Sequence, residues 1–472
     1  AHQTFARGLG IGDACCVTRC LYNLPISSIS SFANVMPSML TLHLVLLNIL
    51  NVVQTLRDHE VMPLISNDFN DEKVPGSEMA SHLELRETRS PVDDVDGKHL
   101  EQSFPELEVT EERLAQAEEM KGKNLCSNGT WHLSGDFKVT KKRLLIEKPC
   151  NITADRVTLI LEHHLLFDKT VHFHGDLAVV ALRPLGDSCV QVGGHGVVEP
   201  GAVLRFVGCQ NANDYGWGGS MYVRGNLAVR GELHIRDSWA VERGGAIYVR
   251  WGSFNQSGGT LTITNASAPI GGAIYVEEGS FTQSGGNLTI TDASSESDGG
   301  AFYIEKGSFT QSGGNLTITD ASAKSNGGAM WIARNLTMKK KLSITHATAK
   351  IGGGIWVGGD GLFEDAVASF DQCHALEDGG AIYIEKGSFT QSGGNLTITD
   401  ASAKSNGGAM WIARNLTMKK KLSITHATAK IGGGIWVGGD GLFEDAVASF
   451  DQCHALEDGG GIRAIGDVDV VN

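Results

Sequence analysis

The chain has 472 residues, a formal net charge of −15, and 60 glycines against ten prolines. That acidity excludes a nucleic-acid backbone as partner and disfavours anionic membrane surfaces, because both need a basic footprint. Nine cysteines are few for a disulfide-dependent scaffold of this length, and no CxxC motif with a second half supports a zinc site.

Residues 1–35 include Cys15, Cys16 and Cys20 and carry no pattern that assigns them. Residues 36–56 have an apolar middle from Leu40 to Val53, broken by His43, Asn48 and Asn51. Such a length suits the core of a secretory signal or signal anchor better than a full membrane span. A true transmembrane helix or an untargeted segment are the alternatives, so membrane anchorage through 36–56 is an expectation. Residues 57–123 are acidic and proline-punctuated, and 90–101 hold too few apolar side chains for a core. They read as a linker or propeptide, in which Glu106 to Gly122 forms a short solvated helix.

From 124 to 217 the texture changes to short β-branched runs such as Val157 to Leu161 and Val171 to Val180. These are expected to be irregular capping coils closing the end of a stack. Cys126 with Cys150, and Cys189 with Cys209, are candidate bridges there. Cys373 and Cys453 occupy one position in two copies of a repeat and are expected to be buried small residues.

Residues 218–472 contain the most informative feature. A glycine doublet followed by a small residue, an aliphatic and an aromatic starts at Gly218, Gly244, Gly271, Gly299, Gly327, Gly352, Gly379, Gly407 and Gly432, with a worn copy at Gly459. Intervals of 25 to 28 residues mean stacked supersecondary units. Residues 271 to 298 hold three extended runs, AIYVE, SFTQS and NLTIT, and in the last Leu288 and Ile290 alternate with threonines. The expected fold is all-β: a right-handed parallel β-helix with about 27 residues and three short strands per coil. A spacing of about 4.8 Å makes the nine intervals extend roughly 43 Å. The glycines serve corners needing positive φ or close backbone approach. A second regularity precedes each doublet, as in Ile318, Ala321, Ala323, where small residues let the turn tuck under the coil above. Residues 301 to 380 recur at 381 to 460 with one change, Phe302 for Ile382. That block is three whole coils, a recent duplication that keeps every rung in register.

Ser369 to Ile384 (SFDQCHALEDGGAIYI) and Ile344 to Val357 (ITHATAKIGGGIWV) resemble the GGAI and FxxN repeats of the polymorphic outer membrane proteins, whose passenger domains are pectin-lyase-like β-helices. The likeness covers about 230 to 460. The Asn of FxxN is replaced here by Ala, Ser or Cys. The resemblance implies a similar β-helix and a similar surface or adhesive role, not bacterial autotransport.

Tyr222, Tyr248, Tyr275, Tyr303, Trp331, Trp356, Tyr383, Trp411 and Trp436 fall at one position of the repeat between inward aliphatics, and are expected to point outward in one column. Such a strip could bind sugars or a partner protein; the plainer reading is that the rings stack and stabilise the rungs. A column of threonines, such as Thr289 and Thr291, has the spacing of an ice-binding lattice but is interrupted at Ser369 and Asp371. Gly194, His195 and Gly196 match a GHG element of polygalacturonases, without the aspartate and Arg-Ile-Lys motifs that should accompany it. Asp292, Asp320 and Asp400 repeat with the rungs and read as solvated turn residues rather than paired catalytic acids. Asn128, Asn151, Asn255 and Asn265 lie in N-glycosylation sequons. The expected function is a secreted or cell-surface scaffold for adhesion or for recognition of a surface glycan or protein, with no cofactor. The competing class is a polysaccharide lyase or hydrolase, and ice binding is a minor third.

Overall fold

The computed structural model describes residues 115–120, 125–126, 128–140 and 144–471. The stretch 36–56 and nearly all of 57–123 lie outside the described residues. The rest is a parallel β-helix. Thirteen short strands, from Leu144–Ile146 to Ile462–Ala464, form one sheet along its length, and the other runs of each coil form the remaining faces.

One coil illustrates the path. After Gly299–Gly300 come Phe302–Ile304, Phe309–Gln311 and Asn315–Thr319, the three expected runs. A fourth, Ser322–Ala323, adds two residues of parallel pairing that the sequence pattern does not announce. Like residues pair with like between coils: Tyr275 with Tyr303, Gln283 with Gln311, Leu288 with Leu316, Ile290 with Ile318. The alternation works as expected, because Leu288 and Ile290 are buried while Thr289 and Thr291 face outward. Ile274, Ile355 and Ile435 are each 0% exposed, so the aliphatic interior is continuous from coil to coil.

The two glycines of each doublet do different jobs. Gly271 has φ +64°, a left-handed conformation that an L side chain resists. A Cβ on Gly272 would lie 2.1 Å from the carbonyl oxygen of Gly300 and 2.3 Å from that of Ser294, so there the bare backbone is what allows the coil above to approach. The opposite corner uses a glycine at Gly208, with φ +68°, and none in the coils that follow. Asn265, Asp292, Asp320, His346, Gln372, Asp400, His426 and Gln452 all have φ between 50° and 53°. Asn and Asp tolerate this region because their short polar side chains satisfy nearby backbone. Asp292, Asp320 and Asp400 are therefore the residues that turn the chain, more specific than the solvated role expected of them. Neighbours in this column bond to one another: Asn265 Nδ2 donates to Asp237 at 2.7 Å, and His346 and His426 lie 3.1 Å from Asp320 and Asp400.

The small residue after each such corner faces the small residue after each GG doublet across the interior. At the first coils this pair is Cys189–Cys209, a disulfide with Cα atoms 5.7 Å apart. One coil on, the equivalent residues are Ser220 and Ser238, whose hydroxyls hydrogen-bond at 2.9 Å. Next come Ala246 and Ala266, aligned with those serines. Cys126–Cys150 is also bridged. Cys373 sits in this column, fully buried, opposite Gly354, and burial pushes its thiol up to about 12. Its repeat partner Cys453 is only partly buried, because among the described residues no strand pairs over Val447–Asp451 or His454–Asp458.

A second interior column is polar. Gln256, Gln283, Gln311 and Gln391 are each 0% exposed, in line with Val229, Met338, Phe363 and Met418. Each amide nitrogen donates upward to a backbone carbonyl of the next coil, Gln256 to Asn287 at 2.9 Å and Gln311 to Lys341 at 3.0 Å. Buried amides need such partners, and here they bond adjacent coils together.

Candidate functional site

The repeat places an aromatic at the centre of nine of the ten GG strands, between two inward aliphatics, so each ring projects from the outer surface, and Arg463 takes that place in the tenth. In-register pairing then sets one ring above the next. Tyr222, Tyr248 and Tyr275 form a cluster separate from the interior, with Trp217, Ile270 and Tyr303 against it. From Tyr222 to Trp356 the rings stack continuously, with centroids 5.5, 5.1, 4.9, 4.2 and 4.7 Å apart. A second run joins Tyr383, Trp411 and Trp436 at 4.4 and 4.8 Å, with interplanar angles of 11° and 4°. All nine residues thus lie in one column.

Stacking at these distances covers the ring faces, and sugars bind aromatics through the face. Tyr222, Tyr248, Tyr275 and Trp356 are buried, while Tyr303, Trp331, Tyr383, Trp411 and Trp436 are half-buried and offer edges. The tyrosine end is also tied down by charge. The hydroxyls of Tyr248 and Tyr275 donate to the carboxylates of Glu277 and Glu305, and Arg243 lies 5.3 Å from the centre of the Tyr275 ring. Burial first, then these carboxylates, holds both phenols far above their ordinary pKa. Tyr383 is pushed up to about 12 by burial and by Asp378.

The other candidates are scattered. His195 is exposed, and its Nδ1 accepts the backbone N–H of Asn226 at 2.9 Å, so the ring fastens one corner to the next coil. Asp292 lies in the corner column, its carboxyl raised by burial and by Asp320. Among the described residues no group of three or more His, Cys, Asp or Glu is placed to hold a metal ion, and no helix is long and apolar enough to cross a membrane. Asn128, Asn151 and Asn265 are exposed and Asn255 is half-buried. Asn265 is also one of the left-handed corner residues.

One feature escaped the sequence reading. A shallow groove of about 730 Å³ crosses successive coils beside the corner column, with Trp239, Ser267, Ser294, Ser322 and Thr348 along it and Lys324 at its rim. Trp239, Ser267, Ser294, Ser322 and Thr348 pair in register, each two positions after a left-handed corner residue. The signal was present as a column of hydroxyls, but only the three-dimensional path shows that it is concave.

No family model, curated protein or solved structure matches this chain. The likeness to the polymorphic outer membrane proteins accordingly stands on the quoted motifs alone.

Proposed function

We propose that this β-helix is a secreted or cell-surface scaffold for adhesion, recognising a glycan or a protein along its side. The observation that carries the reading is the duplication of residues 301 to 380 at 381 to 460. Each block supplies whole coils in unbroken register, with Tyr303, Trp331 and Trp356 repeated as Tyr383, Trp411 and Trp436. A lateral surface that works by repetition gains from an added block, whereas a single catalytic constellation gains nothing from one. Two buried disulfides support an oxidising compartment. The groove and the half-buried ring edges are the surfaces available to such a partner, and identical blocks would engage a repeating ligand twice.

Beads coated with the full chain should adhere to glycan- or protein-coated surfaces, and beads carrying a chain without 381–460 should adhere less while keeping the same β-sheet circular dichroism. Changing Trp331, Trp356, Trp411 and Trp436 to Ala tests the strip within the same assay. Adhesion no greater than that of albumin-coated beads would overturn the reading. So would depolymerisation of a polysaccharide that His195→Ala abolishes, which would favour the enzyme class.

A further inference from the structure

The groove beside the corner column is floored by the residues that follow its hydroxyl column by one position, Ala240, Ala268, Ser295 and Ala323. These alanines lie outside the interior cluster, and their short side chains are what leave the surface concave. Every other coil from 240 to 455 carries alanine at this position, so Ser295 alone brings a hydroxyl to the floor. Ser295 is 6% exposed, and its Oγ has no hydrogen-bond partner. A buried hydroxyl left unpaired is destabilising, and alanine fills the same place in the neighbouring coils without that cost. A single χ1 rotation swings a serine hydroxyl, so this one can turn to meet an occupant of the groove.

We propose that the groove binds an uncharged oligosaccharide laid lengthwise across the coils, an inference that rests on the recognition reading and specifies its ligand. One sugar ring lies against Trp239 and the others present their hydroxyls to the serine and threonine column. From Trp239 to Thr348 the groove crosses five coils, which is four strand spacings or about 19 Å. The next residue in the column is His374, whose Nδ1 lies 2.8 Å from Ser402 Oγ, so beyond Thr348 the column bonds to itself.

The lining chemistry selects the ligand. Trp239 is half-buried, and among the described residues no ring stacks on it, whereas the faces of the outer aromatic column are covered. A free indole face suits the apolar face of a pyranose. Ser267, Ser294 and Thr348 are exposed and Ser322 is half-buried, giving each rung a hydroxyl that both donates and accepts. An extended peptide fits worse, because its like-facing groups recur every about 6.7 Å against rungs about 4.8 Å apart. The coil backbone here is already paired along the axis and offers no strand edge to a peptide. Glu296 and Lys324 at the rim have opposite charges 4.0 Å apart, which favours a neutral ligand over a charged one.

Isothermal titration of the full chain with cellohexaose, mannohexaose and N-acetylchitohexaose tests this, with hexagalacturonate and a Gly-Ser hexapeptide as controls. At least one neutral hexaose should bind, and more tightly than either control. Trp239→Ala should weaken that binding at least about tenfold. Ser267→Arg with Ser294→Arg, both at exposed positions, should block it even where the loss of Trp239 disturbs the fold. Ser295→Ala should weaken it about fivefold and leave the urea midpoint unchanged or higher. The proposal is overturned by a natural chain that binds none of the three sugars, or by one that prefers hexagalacturonate or the peptide. Affinity unchanged in the double-arginine chain, or in the Ser295→Ala chain, would overturn it equally. Bead adhesion keeps the two readings apart. Adhesion that persists in the double-arginine chain sinks the groove alone, whereas sugar binding by a chain whose beads do not adhere upholds the groove and sinks the adhesive role.

Discussion

Single residues decide the corners, and the two glycines of a doublet predict different penalties. At Gly271 an alanine meets a left-handed backbone, which costs about 1–2 kcal/mol. At Gly272 an alanine Cβ would press on two carbonyl oxygens, 2.1 and 2.3 Å away, both belonging to backbone that pairs coils together. Gly272→Ala should therefore cost more than about 4 kcal/mol and open the adjoining coils, whereas Gly271→Ala should leave a folded protein with a lower urea midpoint. Equal losses would mean that close approach is not what the second glycine serves. His234 supplies a pH dependence. It is 5% exposed, and burial holds its imidazole below the ordinary pKa although Glu232 lies 3.2 Å away and opposes the shift. The unfolded chain then takes up the proton first, at about pH 6.5, so stability rises with pH until that value is passed. Urea midpoints should climb from about pH 5 to about pH 7, and His234→Gln should flatten that climb.

Elements stack because their inward residues agree from coil to coil, and the exceptions are informative. Gln391 lies between Phe363 below and Met418 above, and its Oε1 has no hydrogen-bond partner. Gln391→Met should change stability by less than about 1.5 kcal/mol, since a flexible apolar side chain already occupies this column. Gln391→Glu would place a carboxyl in the interior and should cost several kcal/mol at neutral pH, less in acid where the group is neutral. Chemical denaturation at the two pH values checks both. The cross-interior small pair makes a separate prediction. Ala246 and Ala266 align with Ser220 and Ser238, and those with Cys189 and Cys209. In a buffer containing oxidised glutathione, which accepts the two electrons, Ala246→Cys with Ala266→Cys should close a disulfide, leave no free thiol at those positions, and raise stability by roughly 3 kcal/mol. The strands, their register and the inward aliphatics were legible in the sequence because a fixed period makes each coil a copy of its neighbour. The glutamine column and the left-handed Asp, Asn, His and Gln corners were not. Their side chains look like ordinary polar strand and turn residues until the path shows which way each one points. The aromatic column was legible as a column. That its faces are consumed by stacking depended on ring orientation, which spacing alone does not fix.

At the scale of the whole molecule, two nearly identical blocks occupy different places, so position can be separated from sequence. In a stack of coils each unit is stabilised by its two neighbours, and the outermost unit has one interface fewer. Cys373 and Cys453 report on this difference. They share the same local sequence, and Phe370 and Ala368 beside the first are 1% and 2% exposed. Beside the second, Phe450 is only partly buried and Ala448 is exposed. Complete burial drives the Cys373 thiol up to about 12, while partial burial raises that of Cys453. The thiolate is the reactive species, so Cys453 should react with a thiol reagent far faster than Cys373 under native conditions. Replacing Cys15, Cys16 and Cys20 by Ser, and then Cys373 or Cys453 in turn, lets each rate be read alone. Inserting a further copy of 381–460 after Gly460 should slow the thiol at 453 to the rate seen at 373, because the identical coil would then be covered. A rate at 453 that stays high in the lengthened chain would show that the coils do not stabilise one another through their stacking, and the nearest-neighbour account of this fold would fail.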